Sequence, residues 1–176
     1  MSLIATAGAS NANAYGTVTE ADDYFSGRYD PAAWTALTTA KKESALIMAT
    51  AQIDAGFAYR GCRYGSSTEG ASDYQQLEFP RNFTVDNDGA AIIPKNVKSA
   101  NFEQAFFIVS FGAEAEKRQA LIDSGVKSYS LGGVANFNAP ALSENFGESA
   151  GSFTICAAAK NLLSPYIDNT LWLNRA

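Results

Sequence analysis

The sequence predicts a mainly α fold of the α+β class: a four-helix-type bundle with one or two small β-hairpins and extended N- and C-terminal arms. Three observations lead there. Apolar residues recur at helical spacing in several separate stretches. Asp88-Gly89 and Gly132-Gly133 mark tight turns between short apolar runs. A small, polar start and a short apolar cluster at the end stand outside both patterns. With 176 residues the chain suits one domain that buries a core without metal or disulfide staples. The reading divides it into an arm over 1–18, a helical body over 19–166 with a hairpin near 128–137, and a second arm over 167–176.

Each element has its own signal. Residues 1–18 alternate Gly8, Ser10, Asn11 and Asn13 with alanines, a composition that buries little. Thr19-Glu20-Ala21-Asp22 approximates a capping box, so a helix opens there, carries Tyr24 and Phe25 inward and ends near Asp30-Pro31. Trp34 and Leu37 add a second anchor. Ala40 to Ala55 is the next helix, with Leu46, Ala49, Ile53 and Phe57 at helical spacing and Gly56 as its C′ glycine. Tyr59 to Tyr74 is loop-like, and Pro80 forces Phe79 into an extended conformation. Asp88-Gly89 turns a hairpin between Val85 and Ile92.

Pro94 starts the longest helix, where its missing N–H costs nothing. Val97, Asn101, Gln104, Ile108 and Phe111 line one side; Phe102, Phe106 and Val109 line the next. So wide an apolar arc requires two packing partners. Glu114 to Arg118 forms a polar, exposed tail. Ser128 to Phe137 reads as a hairpin about Gly132-Gly133 with Leu131 opposite Val134, and Ala139 to Gly151 as a loop. A last helix starts near Ser152, presents Ile155, Ala159, Leu162 and Leu163, and stops at Pro165.

Composition narrows the function. The net charge is −5, which opposes bulk attraction to nucleic-acid phosphate, and the chain has no histidine. The commonest general base and metal ligand is therefore missing, and no enzyme, cofactor or metal site is expected. Cys62 and Cys156 make no metal-binding spacing. Asp86-Asn87-Asp88-Gly89 resembles part of a calcium loop, but Lys95 stands where its last position needs glutamate, so a plain turn is expected. Asp22 and Asp23 point apart on a helix and read as capping and solvation. The start lacks a basic n-region and a sustained apolar stretch, so neither a signal peptide nor a membrane partner is expected.

Three groups of residues remain as candidate sites. Arg60, Arg63 and Tyr64, with Tyr59, put cations and aromatics into one loop, a mix suited to stacking bases and neutralising phosphates. Against it stand the acidic balance and the ordinary use of such side chains to cover apolar surface. Arg81, after Phe79 and Pro80, is expected to pin a loop by bonding backbone carbonyls or a carboxylate. Leu171, Trp172 and Leu173, followed by Arg175, place large apolar groups on a terminus. They either fold back onto the core or dock into a partner.

Several blocks resemble a known family in their order. Asn13-Ala14-Tyr15-Gly16-Thr17-Val18-Thr19-Glu20-Ala21-Asp22-Asp23-Tyr24-Phe25 with Trp34 is similar to its opening, and the helix with Ala45-Leu46, Ala49-Thr50 and Ile53-Asp54 to its next block. Gln76-Leu77-Glu78-Phe79-Pro80-Arg81 resembles its Gln-Leu-x-aromatic-Pro-Arg signature, and Ile93-Pro94, Val97-Lys98, Ala100 and Glu103 follow in register. Leu162-Leu163-Ser164-Pro165-Tyr166 fits its closing segment. The family is that of tailed-phage head–tail adaptors, or head-completion connectors, whose relatives often carry the label DnaT-like single-stranded DNA-binding protein.

The resemblance implies a helical protomer that forms a ring of about 12 copies. The ring would sit in the virion neck, assembled in the host cytoplasm, between the portal of a DNA-filled head and the tail or neck proteins. Genomic DNA would pass through without specific binding, and Leu171, Trp172, Leu173 and Arg175 would dock on the portal or a neighbouring copy. The alternative is a replication accessory protein that binds single-stranded DNA through Arg60, Arg63 and Tyr64.

Overall fold

Thr17 caps the first helix reciprocally with Glu20: the Thr17 N–H donates to Glu20 Oε2 at 2.8 Å, and the Glu20 N–H donates to Thr17 Oγ1 at 3.2 Å. The structure is a computed structural model that describes residues 2–64, 75–124, 128–131, 142–145 and 155–168. Helix α1 covers Val18–Ser26 and α2 Ala32–Thr35. Helix α3 covers Thr39–Gly56, α4 Lys95–Asp123 and α5 Ala157–Leu163. Strands β1, Ser128–Leu131, and β2, Leu142–Asn145, form one antiparallel pair. The fold is mainly α, as the sequence predicts.

The helix boundaries move for local reasons. The cap of α1 is Thr17, not Thr19, because Glu20 reaches back where a glutamate fits the box. Asp22 is engaged elsewhere, accepting from Trp34 Nε1 at 2.7 Å and Lys42 Nζ at 2.8 Å. Gly56 lies inside α3 and Phe57 caps it in an extended conformation, so no left-handed C′ glycine ends this helix. Gly56 is small for a different reason: a Cβ there would collide with the Ile155 side chain. Helix α5 starts late because Cys156, not Ser152, is its N-cap, with Sγ accepting from the Ala159 N–H at 3.4 Å.

The chain forms two compact units. In the first, Met1–Ser110 with Ile155–Ala176, α4 lies between two apolar clusters. One gathers Phe25, Trp34, Leu46 and Ala49 with Phe102 and Ala105. The other gathers Tyr15, Ile53, Tyr59 and Phe79 with Val97, Ala100 and Leu163. The two-sided helix is therefore observed, except that Phe111 is exposed. Between its apolar faces run buried Asn101 and Gln104. Asn101 Nδ2 donates to Leu46 O and Thr50 Oγ1, and Gln104 Nε2 donates to Gln52 Oε1 at 2.7 Å. Gln104 Oε1 accepts from the Cys156 N–H at 2.9 Å, so one amide side chain links α3, α4 and the start of α5.

The segment expected as a free N-terminal arm is packed: Ala12, Ala14 and Tyr15 are buried. Asn13 Oδ1 accepts from the Ile4 N–H at 2.7 Å, folding residues 2–16 back on themselves. Its small side chains suit close approach: Gly16 lies so near Phe102 that a Cβ would sit 2.6 Å from the ring.

The second unit, Phe111–Thr154, holds the end of α4 and the strand pair. Ser128 faces Asn145 and Leu131 faces Leu142. The strand expected to follow 128–131 within 128–137 is found instead at 142–145, inside the stretch expected to be a loop. Leu131 opposes Leu142 rather than the expected Val134; Gly132, Gly133 and Val134 lie outside the described residues.

A glycine pair tests this packing. Gly16→Ala should destabilise by about 1–3 kcal/mol through overpacking against Phe102. Gly27→Ala, with nothing within 4 Å of its Cβ, should stay within about 0.5 kcal/mol of the parent in urea unfolding.

Candidate functional site

The Gln76-Leu77-Glu78-Phe79-Pro80-Arg81 segment folds around a cis Phe79-Pro80 bond, and its side chains enter the structure in three directions. Phe79 is buried among tyrosines from three parts of the chain, with ring centroids 5.9 Å from Tyr15, 4.9 Å from Tyr59 and 5.5 Å from Tyr166. Pro80 O accepts from the Tyr64 N–H at 3.0 Å and from Gln75 Nε2 at 2.9 Å.

Arg81 is buried, and its guanidinium fork is engaged on every nitrogen. Nε donates to Arg60 O at 2.6 Å, and Nη1 to Glu78 Oε2 at 2.6 Å and Glu78 O at 3.2 Å. Nη2 donates to Tyr59 O at 3.0 Å and to Gly61 O. Three successive carbonyls of residues 59–61 are thereby gathered by one side chain, which only a planar, five-donor group can do. Gly61 adopts a φ of +69°, which turns its carbonyl into this cradle with Asn82 close behind it.

The same lattice absorbs most of the group proposed to touch nucleic acid. Arg63 pairs with Glu78 and bridges to Arg81 through the backbone. Arg60 is exposed; its backbone N–H donates to Tyr166 O and its Nε to Ile167 O at 3.2 Å. Tyr64 is exposed, with its hydroxyl donating to Gly89 O at 3.2 Å. Tyr59, expected to stand beside it as a stacking platform, is instead a core residue whose hydroxyl donates to Ile53 O at 3.1 Å. The structure brings Arg60, Arg63, Tyr64 and Arg81 together, but as a fastener for the loop through residue 64. Leu171, Trp172, Leu173 and Arg175 lie outside the described residues.

Sequence reasoning missed Asp54. Its Oδ1 accepts from the Tyr15 hydroxyl and its Oδ2 from the Glu78 N–H at 3.2 Å, while Tyr15 Oη accepts from the Phe79 N–H at 3.3 Å. The pair ties the N-terminal segment and α3 to the proline turn. An acid directly after Ile53 on the apolar side of α3, with one large aromatic in the small-residue start, was the available signal. Burial pushes Asp54 up to about 6, although the Tyr15 hydroxyl and Glu78 N–H favour its charged form; burial also raises Tyr15. The Asp86 turn is a plain one: Oδ1 accepts from the N–H groups of Asp88 and Ala90, and Val85 bridges to Ala91.

The sign of the pH effect follows. Folded Asp54 holds its proton to about 6, above its ordinary value of 3.8, so its contribution favours folding at low pH and is lost as pH rises through 6. Glu20 and Asp22 act oppositely: burial raises both, but Lys98 and Thr17, and Lys42 and Trp34, outweigh it and hold them below the usual carboxylate range. Their contribution is lost only in stronger acid. Urea unfolding should find the protein more stable near pH 5.5 than near pH 8, and Asp54→Asn should remove most of that difference.

No curated protein and no solved structure matches this chain. A family model does match, over residues 1–173, and its description reads "Putative DnaT-like ssDNA binding protein". The chain belongs to that DnaT-like family.

Proposed function

We propose that the chain is a structural virion protein, a head–tail adaptor. About a dozen copies would form a ring that joins the portal of a DNA-filled phage head to the tail. The observation that carries this reading is the internal engagement of the cations. Arg63 and Arg81 hold Glu78 and the carbonyls of residues 59–61, and Tyr59 is buried. A chain that gripped single strands here would instead direct such groups outward as a stacking surface. The net charge of −5 suits the wall of a passage through which DNA must slide, since like charge repels phosphate. In this reading the protein performs no catalysis, holds no cofactor and works in the virion neck after assembly in the host cytoplasm.

The family description favours a second reading, a single-stranded DNA-binding accessory protein. Exposed Arg60 and Tyr64 are the groups at this site that it would use. Quantitative mass spectrometry of purified particles separates the two. The adaptor reading expects about a dozen copies in each particle, as suits a closed ring. Absence from particles, with abundant protein in infected cells, would support the second reading and defeat the first.

A further inference from the structure

Residues 2–16 are bonded chiefly to one another. Asn13 and Ala14 donate their N–H groups to Ile4 O at 2.9 and 3.2 Å, and Asn13 Nδ2 donates to Ser2 O at 2.9 Å. Among the described residues, every hydrogen bond from this segment to the rest of the chain passes through one atom, the Tyr15 hydroxyl oxygen. It donates to Asp54 Oδ1 and accepts from the Phe79 N–H at 3.3 Å.

The segment carries no acidic or basic side chain between Ser2 and Gly16. Its apolar contacts, Ala12 and Tyr15 in the cluster of Ile53, Phe79 and Val97, do not change with pH. Any pH dependence in how it sits therefore enters through the groups that Tyr15 meets. From the elements packed around it, Asp54 faces Tyr15, Tyr59, Arg63 and Glu78, and Glu78 is paired with Arg81. Burial above all, and the Glu78 carboxylate, favour the neutral acid and push Asp54 up to about 6; the Tyr15 hydroxyl, the Glu78 N–H and Arg63 oppose them.

We infer that Tyr15 and Asp54 form a proton-operated latch: the segment 2–16 is held while Asp54 carries its proton, and it opens as a unit more often once that proton is lost. Opening lets water reach the carboxylate and removes the penalty of charging it in a poorly solvated place. The acid titrates near 6 when the segment is seated and near its ordinary 3.8 when hydrated, so seating is favoured at low pH and weakens as pH rises to 6. Linkage then raises the open fraction about tenfold between pH 5 and pH 7.5. This opening is local and precedes global unfolding.

Amide exchange of the full chain by NMR, corrected for the intrinsic effect of pH, tests it. The Phe79 amide reports the latch because its acceptor is Tyr15, and amides in the middle of α3 report global unfolding. Expected is a Phe79 amide less protected than those of α3 and less sensitive to urea. Its protection should fall about tenfold from pH 5 to pH 7.5 and level off where the Asp54 carboxyl titrates. Asp54→Asn should make it independent of pH. Phe79 exchange that matches α3 in protection and urea dependence would overturn the inference. So would protection in the parent that ignores pH or levels off away from the Asp54 titration, or a pH dependence that survives in Asp54→Asn.

Discussion

One buried guanidinium organises the part of this molecule where chain segments far apart in sequence meet. Arg81 gathers the carbonyls of Tyr59, Arg60 and Gly61 and pairs with Glu78, which in turn receives Arg63. A charge this deep is tolerable only because every nitrogen is satisfied; removing one member of such a pair costs about 3–5 kcal/mol, since the other is left buried and unpaired. The position of residues 58–64 then determines where the chain can return after α5. Ile167 bridges to Tyr59 and Tyr166 O accepts from the Arg60 N–H, so residues 166–167 are seated on a loop that Arg81 holds.

The remaining order comes from α4, which has an apolar cluster on each side. Its buried polar groups fix register where apolar contact alone would allow sliding. Asn101 finds Leu46 O and Thr50 Oγ1, and Gln104 finds Gln52 and the Cys156 N–H, each pairing specific to one rotation of the helix. At the far edge, Arg28 lies 4.1 Å from the Phe106 ring centroid and pairs with Glu103, which also accepts from Tyr24. The Tyr15–Asp54 couple does the same for the N-terminal segment, at the cost of keeping a carboxyl in a poorly solvated place.

Much of this was legible in the sequence where a local rule decides. The helical spacing of Leu46, Ala49 and Ile53 located α3, Pro94 marked the entrance of α4, and Asp88-Gly89 marked a turn. The function of Arg81 as a fastener followed from a charged fork placed after an aromatic-proline pair. What escaped depends on contacts distant in sequence. Gly56 follows a helix in the manner of a C′ glycine, yet its size answers to Ile155, 99 positions away. The small residues before Tyr15 and Gly16 after it resemble an arm until the ring of Phe102 is placed against Gly16. The β2 strand lay hidden because the glycine pair after β1 suggests a partner strand nearer than 142–145. Tyr59 and Tyr64 are equivalent in composition and opposite in burial, which no pattern within that loop distinguishes.

The arginines around residues 59–81 fasten the fold, and the proposed function expects them to leave single-stranded DNA unbound. A titration of the protein into labelled single-stranded DNA at low and rising salt tests it most directly. The account predicts no saturable binding even at low salt, and no change in that result for Arg60→Ser/Tyr64→Ser. Tight binding that weakens with log[salt] at a slope near −0.7 per phosphate contacted, and that this variant abolishes, would contradict it.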